Sequence, residues 1–206
     1  MLAPLVIAVV VGYLLGSLPF GYLIARAKGV NIFEVGSKSS GATNVRRVIG
    51  SGAGILVLFL DLIKGALAAY IAAMLCPSDG YWAFFVLIGI VGALLGHSFS
   101  CFTRFRGGKG VATAAGGFLV LFPLGTLAAA LVWGLAVALT RYVSLASMVA
   151  GVALVAAAVM LHQPPLVLGA CVLVLAFVII RHRANISRLL AGTENKIGQK
   201  PAEPKP

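Results

Sequence analysis

Acidic residues are scarce in this chain. Of 206 residues only five are Asp or Glu, against sixteen Lys or Arg, for a formal net charge of +11. With so few carboxylates, no pair of catalytic acids can be assembled. Cysteine is equally sparse: Cys76, Cys101 and Cys171 stand without CxxC or Cys/His metal spacing, so neither a disulfide framework nor a metal site is indicated, and no cofactor is expected. Charge of either sign makes up only 10% of the chain, whereas 61% is hydrophobic and the mean hydropathy is +1.06. Such a composition excludes an ordinary soluble domain and points to an all-α polytopic membrane protein. In a soluble protein the basic excess would suggest nucleic acid. Here the basic residues lie mostly in loops between apolar runs, which turns the reading to topology and anionic ligands.

What is abundant is long apolar runs. Spanning candidates of about 20 residues cover 2–25, 53–75, 81–101, 145–161 and 165–181, together with 111–140. The first run lacks a basic leading region and a small-residue cleavage site, and is expected to be a retained helix. The stretch 111–140 would reach about 45 Å as one helix, too long for a hydrocarbon core of about 30 Å. Pro123 and Gly125 offer a break near its middle. Two short helices hinged near Pro123 put every basic loop on one side: Arg26 to Arg47, Arg104 to Lys109, Arg141, and the segment from Arg181 onward. The expectation is therefore about seven transmembrane helices, N-terminus outside and C-terminus cytoplasmic. A re-entrant pair is the alternative for the two short helices. One domain is expected over 1–191, followed by a loosely ordered polar cytoplasmic tail, 192–206.

That topology gathers the unusual polar residues at the cytoplasmic face. In "GSKSSGATNVRR", Gly36 and Gly41 free the backbone, Ser37, Ser39, Ser40 and Thr43 bring hydroxyls, and Asn44, Arg46 and Arg47 complete a set suited to phosphate oxygens. The following "GSGAG" is a further helix start for the same place. A plain basic loop is the competing reading. The "RGGKG" stretch resembles a phosphate-binding turn, with Arg106 and Lys109 as cations and Gly107 and Gly108 allowing close approach. It is not a Walker A loop, because glycine follows Lys109. Ser144 stands where a helix begins and is equally explained as an N-cap. His182 and Asn185 share one face of a basic helix, Arg181 and Arg188 another; contact with anionic headgroups is the alternative. His97 closes an apolar run. Asp61 and Lys64, three apart inside the second run, read as a structural ion pair. No Ser/His/Asp triad exists. None of the three histidines is followed five positions later by Asp, the arrangement with which several lipid acyltransferases activate an alcohol: those positions hold Phe102, Val167 and Ser187.

Six segments occur in the order and spacing of one family: "GSLPFGYLIA", "VGS…GATNVRR…G", "FLDLIKG", "GHSFSCFTRFRGGKGVATAAG", "RYVSLAS" and "RHRANISRLLAGTENKIG". Together they resemble the bacterial acyl-phosphate-dependent glycerol-3-phosphate acyltransferases, over nearly the whole chain. The resemblance implies an inner-membrane enzyme that moves a fatty acyl group from acyl phosphate to the 1-hydroxyl of glycerol 3-phosphate, releasing lysophosphatidic acid and phosphate. It implies neither a metal nor acyl-CoA, and no obligate protein partner is evident. By motif it places Ser37, Gly41, Thr43, Asn44 and Arg47 with Arg106, Gly107, Gly108 and Lys109 on the phosphates. Ser144, His182 and Asn185 complete the pocket, and His97 is a further motif histidine. Lys109, Arg47, Ser144, His182 and Asn185 are the expected catalytic set. One departure stands out: the family's first loop usually reads Gly-Ser-Gly-Asn, where this chain has Gly36-Ser37-Lys38-Ser39, which bears on acyl-donor preference or activity level. A transporter or binding protein for phosphorylated anions is the competing class.

Overall fold

A computed structural model describes residues 2–199, that of Asp79 in its backbone only. Among the described residues there are ten α-helices and no strands. They are α1 (Leu2–Ser17), α2 (Phe20–Ala27), α3 (Ala42–Val48), α4 (Ser51–Met74), α5 (Trp82–Ser98), α6 (Val111–Leu121), α7 (Pro123–Thr140), α8 (Val143–Met160), α9 (Pro165–Arg181) and α10 (Arg183–Leu190). Five stretches are long and apolar enough to cross a bilayer, with Leu2–Ala27 counted as one; the bent pair α9–α10 makes a sixth. The chain is a multi-pass membrane protein. Its lipid-facing surface is plainest on α7, where Leu127, Leu131, Leu135 and Leu139 repeat every four residues and all are exposed.

The first run is not continuous. It breaks at Leu18–Pro19, where proline cannot donate to the helical ladder. The freed carbonyls are taken up by side chains from two other elements: Lys64 Nζ donates to Leu18 O (2.9 Å) and Ser100 Oγ to Ser17 O (2.6 Å). That accounts for a lysine inside an apolar helix, because an unpaired backbone carbonyl at membrane depth costs several kcal/mol, roughly as much as any buried polar group left unsatisfied. Asp61 balances Lys64 at 2.8 Å, so the expected ion pair is present.

The break expected near Pro123 is also there, at Phe122, which ends α6 and precedes α7 with φ −148° and ψ 70°. The two pieces are unequal, however. The 18 residues of α7 rise about 27 Å, enough to cross alone, while the 11 of α6 rise only about 16 Å. The hinge lies closer to the start of the run than to its end, so α7 took the span and α6 was left as a short buried piece.

Short α6 is pressed directly against α4. A Cβ on Gly65 of α4 would lie 2.0 Å from Thr113 O, and one on Gly116 of α6 would lie 1.9 Å from Leu62 O, so only glycine permits this backbone-to-backbone approach. Around this pair, α5 packs on α1, α4 and α6, while α7, α8 and α9 form a second layer. Ile90, Leu94, Phe118, Leu154, Val174 and Val178 fill the seam between the layers. Because α6 ends early, a space opens beside it between α4, α7 and α8.

Candidate active site

That space is a cavity of about 340 Å³. One end is apolar, with Leu58, Leu62, Phe118, Ala129, Trp133 and Leu154; the other is polar and collects side chains from four separate parts of the chain. Eleven residues expected at the phosphate site from sequence line it: Ser37, Ser39, Gly41, Thr43, Asn44, Arg47, His97, Lys109, Ser144, His182 and Asn185.

The first loop is folded around Asn44. Its buried amide donates to Ile32 O (3.3 Å), Val35 O (3.1 Å) and Ser39 O (2.9 Å), and its Oδ1 accepts from Ser37 N (2.8 Å). Asn44 is thus the frame of the loop, and it sets Ser37 and Ser39 at the cavity mouth. Gly36 has φ +58°, and a Cβ there would lie 2.2 Å from Asn44 Oδ1. Of the paired arginines, Arg47 faces the cavity, whereas Arg46 is exposed and lies outside the lining. The "GSGAG" segment does start a helix, α4 after Gly50, but that end lies outside the lining too; Gly41 and Ala42 at the start of α3 border the cavity instead.

The second loop corrects the phosphate-turn expectation in part. Lys109 enters the cavity, but Arg106, Gly107 and Gly108 do not line it. The Arg106 guanidinium donates to Phe33 O (2.8 Å) and covers the Phe33 ring at 4.6 Å, clamping the two loops together. Gly107 and Gly108 lie against His97. Arg181 reaches back to Gly108 O (2.7 Å).

At the far wall the helix bends by 61° at His182, between α9 and α10. The two-face expectation fails: Arg188 joins His182 and Asn185 on the cavity, because Asn185 and Arg188 stand three apart on α10 and neighbour each other on its surface. His182 Nδ1 lies 2.8 Å from Val178 O, so this nitrogen carries the proton in the neutral ring and Nε2 is left as the acceptor. Ser144 is no N-cap. Tyr142 precedes α8, and Ser144 Oγ donates instead to Glu194 Oε1 at 2.7 Å.

Glu194 was not foreseen, since its segment was expected to be a loose tail. It is only 8% exposed. Besides Ser144, its carboxylate accepts from Asn185 Nδ2 (2.6 Å) and Arg188 Nε (2.7 Å). Ile197 holds the segment down, with its N–H donating to Arg141 O (2.8 Å) and its own carbonyl accepting from the Arg141 guanidinium. Of the expected tail, Glu194 is thus built into the site and Ile197 is tied to Arg141, while Gly198 and Gln199 are exposed and residues 200–206 lie outside the described residues. The signal in the sequence was one of the five acids standing shortly after the cations Arg181, Arg183 and Arg188; Arg188 also went unassigned as a site residue.

Lys109 Nζ donates to Asn185 Oδ1, which completes a run Lys109–Asn185–Glu194–Arg188. Burial pulls the lysine down to a pKa of about 8; the Glu194 charge pulls it back up, and Arg188, Arg181 and Arg47 push it down. Burial alone would raise the Glu194 carboxyl, but its hydrogen bonds from Asn185, Ser144 and Arg188 outweigh that and hold it below the usual range. With Arg47, Lys109 and Arg188 against one carboxylate, this end of the cavity keeps an excess of positive charge.

A family model for glycerol-3-phosphate acyltransferase matches residues 6–192. The chain belongs to the glycerol-3-phosphate acyltransferase family. It is 44% identical to the glycerol-3-phosphate acyltransferase of Fusobacterium nucleatum, over 91% of this chain and 95% of that one. It is 43% identical to that of Rippkaea orientalis, over 95% and 94%. Among solved structures it resembles PlsY (YgiH), an integral membrane glycerol 3-phosphate acyltransferase. The glycerol 3-phosphate form superposes with a TM-score of 0.87 at 39% identity, covering 94% of this chain and 96% of that one. The lysophosphatidic acid form gives 0.84. This acyltransferase thus carries its polar cluster and its apolar pocket in a single cavity, and the transporter class is not favoured.

Proposed function

We propose that the protein transfers a fatty acyl group from acyl phosphate to the 1-hydroxyl of glycerol 3-phosphate, giving lysophosphatidic acid and inorganic phosphate. The observation that carries this reading is the division of one cavity into a cationic end and an apolar end. Arg47 and Lys109 grip the phosphoryl groups, and Ser37 and Thr43 donate to their oxygens, while Ser144, whose proton goes to Glu194, holds that carboxylate beside them. The acyl tail runs past Leu62 and Phe118 toward Trp133. Its entry is lateral, because Leu58 and Phe59 on α4 border the cavity while more than a third of each is exposed on the lipid side.

Acyl phosphate is a mixed anhydride with a good leaving group, so alignment and charge neutralisation supply most of the catalysis. As the hydroxyl attacks the acyl carbon, the anhydride C–O bond breaks and phosphate departs with the electron pair. The hydroxyl proton goes to a phosphate oxygen of the substrates. His182 is the weaker acceptor, because burial first and Lys109 next disfavour an imidazolium there, outweighing the Val178 carbonyl and Glu194, which favour it. His182 and Asn185 position the acceptor.

The topology belongs to the same proposal: about seven membrane-crossing segments counting α6, N-terminus outside, and the site on the cytoplasmic face of the inner membrane, built by one domain over 1–191 and completed by Glu194 from the segment that follows. The test is purified protein with acyl phosphate and glycerol 3-phosphate, following phosphate release and lipid product. Release that requires both substrates is the expected result. Counterflow of labelled glycerol 3-phosphate in vesicles without product would replace this reading with transport.

A further inference from the structure

The fold brings a histidine and an aspartate together although no such spacing exists along the chain. His97, at the end of α5, is 7% exposed; its Nδ1 lies 3.5 Å from Oδ1 of Asp61 on α4, itself 3% exposed. The opposite side of the ring is covered by the second loop. A Cβ on Gly108 would lie 2.2 Å from His97 Nε2 and 2.9 Å from Cε1, and one on Gly107 would lie 2.1 Å from His97 O. Gly108 N–H donates to that same carbonyl at 3.1 Å. The two glycines preceding Lys109 are therefore wrapped on the ring and carbonyl of His97, with no room for a side chain.

We propose that His97 is a positioning residue: held from behind by Asp61, it is the surface on which the Gly107–Gly108 turn is moulded, and it thereby sets where the Lys109 ammonium enters the cavity. The Asp61–Lys64 pair then has two tasks, since Lys64 closes the break in the first run through Leu18 O while Asp61 fixes the imidazole. This inference rests on Lys109 gripping the phosphate of glycerol 3-phosphate. The ring borders the cavity as well, so its position between Asp61 and the two glycines fixes the edge from which Lys109 enters.

The test is a coupling experiment read as KM against kcat, with a melting temperature in detergent for every variant. His97→Ala is expected to raise KM for glycerol 3-phosphate about tenfold or more while changing kcat less, because the lysine is displaced rather than lost. Gly108→Ala alone is expected to do the same, since its methyl meets the ring. The double variant His97→Ala/Gly108→Ala is the decisive one: the methyl moves into the space the imidazole vacated, so its KM rises by less than the product of the two single effects. Asp61→Asn paired with Lys64→Met, which leaves no unpaired charge but frees Leu18 O, raises KM in the same direction as His97→Ala and also lowers the melting temperature through the lost Lys64 bond. Independent, multiplicative effects, or a loss confined to kcat, would overturn the proposal. Lys109→Ala separates the two layers of argument. If it leaves KM unchanged, the phosphate reading fails; if it raises KM while the His97 and Gly108 variants are silent, only the positioning role fails. If Asp61→Asn/Lys64→Met does not fold, the His97–Gly108 cycle still decides.

Discussion

Lys109 is the residue whose charge the site most depends on and whose surroundings most oppose it. Its pKa of about 8 lies below the ordinary 10.5 of lysine, with burial as the first cause. The unfolded chain therefore binds a proton that the folded one has released between those two values, so this residue makes the fold more stable as pH rises from about 8 to 10.5. Substrate binding runs the other way. A phosphate needs the ammonium, so kcat/KM for glycerol 3-phosphate is expected to fall as pH rises through about 8, a limb visible in steady-state profiles of the free enzyme. Lys109→Arg should move that limb to higher pH while weakening the point-charge contact. Glu194 is tied to the same titration. Glu194→Gln removes the charge that props Lys109 up, so the alkaline limb should shift to lower pH, and the loss of charge-assisted bonds should cost about 2 kcal/mol of stability in denaturant titration. An unshifted limb would show that the carboxylate does not act on Lys109. Lys38 poses a smaller question. It sits at φ +53° in the left-handed region, at a position where the family resemblance places glycine, and its side chain is exposed. Lys38→Gly is expected to stabilise the loop by up to about 1 kcal/mol, and Lys38→Ala not at all, since only glycine escapes the strain.

At the scale of elements, the site depends on α6 being short and on α4 touching it. Gly116→Ala would thrust a methyl toward the Leu62 carbonyl, a backbone atom that cannot turn aside, so about 1–3 kcal/mol of destabilisation is expected, read as a lowered melting temperature in detergent. A variant that melted like the parent would mean the two helices part without cost. These elements also mark what the sequence could and could not tell. Apolar length gave most of the helices, and Pro19 and Pro123 sit where the ladder fails, although only the second was read as a break. Lys109, Arg47 and Asn185 were legible because the family resemblance places them at the site, where their local chemistry alone left a plain basic loop or headgroup contact as alternatives. What escaped depended on distance in the chain. Nothing near Glu194 announces that Ser144, fifty residues earlier, will donate to it, nor does anything near Arg106 announce that Phe33 will hold it. Arg188 was set on the wrong face although Asn185, three residues earlier on α10, neighbours it by ordinary helical spacing.

Over the whole molecule, the proposed sidedness makes a claim that the native cysteines test without any engineering of the site. Cys76 follows α4 and Cys101 follows α5, so the 17-residue α5, about 26 Å along its axis, separates them. Cys101 is exposed and lies on the side of Lys109 and Arg106, where the site opens; Cys76 is half-buried at the other end; Cys171 is fully buried. With the positive loops cytoplasmic, a membrane-impermeant thiol reagent added to sealed spheroplasts should reach Cys76 and spare Cys101, and permeabilisation should expose Cys101. The comparison is internal to one chain, so reagent reactivity is controlled by repeating it on Cys76→Ser and Cys101→Ser variants. The reverse order would invert the molecule and put the proposed phosphate grip outside the cell. Equal labelling from outside would deny that α5 crosses at all. Either result would break the link between the +11 charge excess and orientation, which is the one physical rule joining the composition of this chain to the side on which it works.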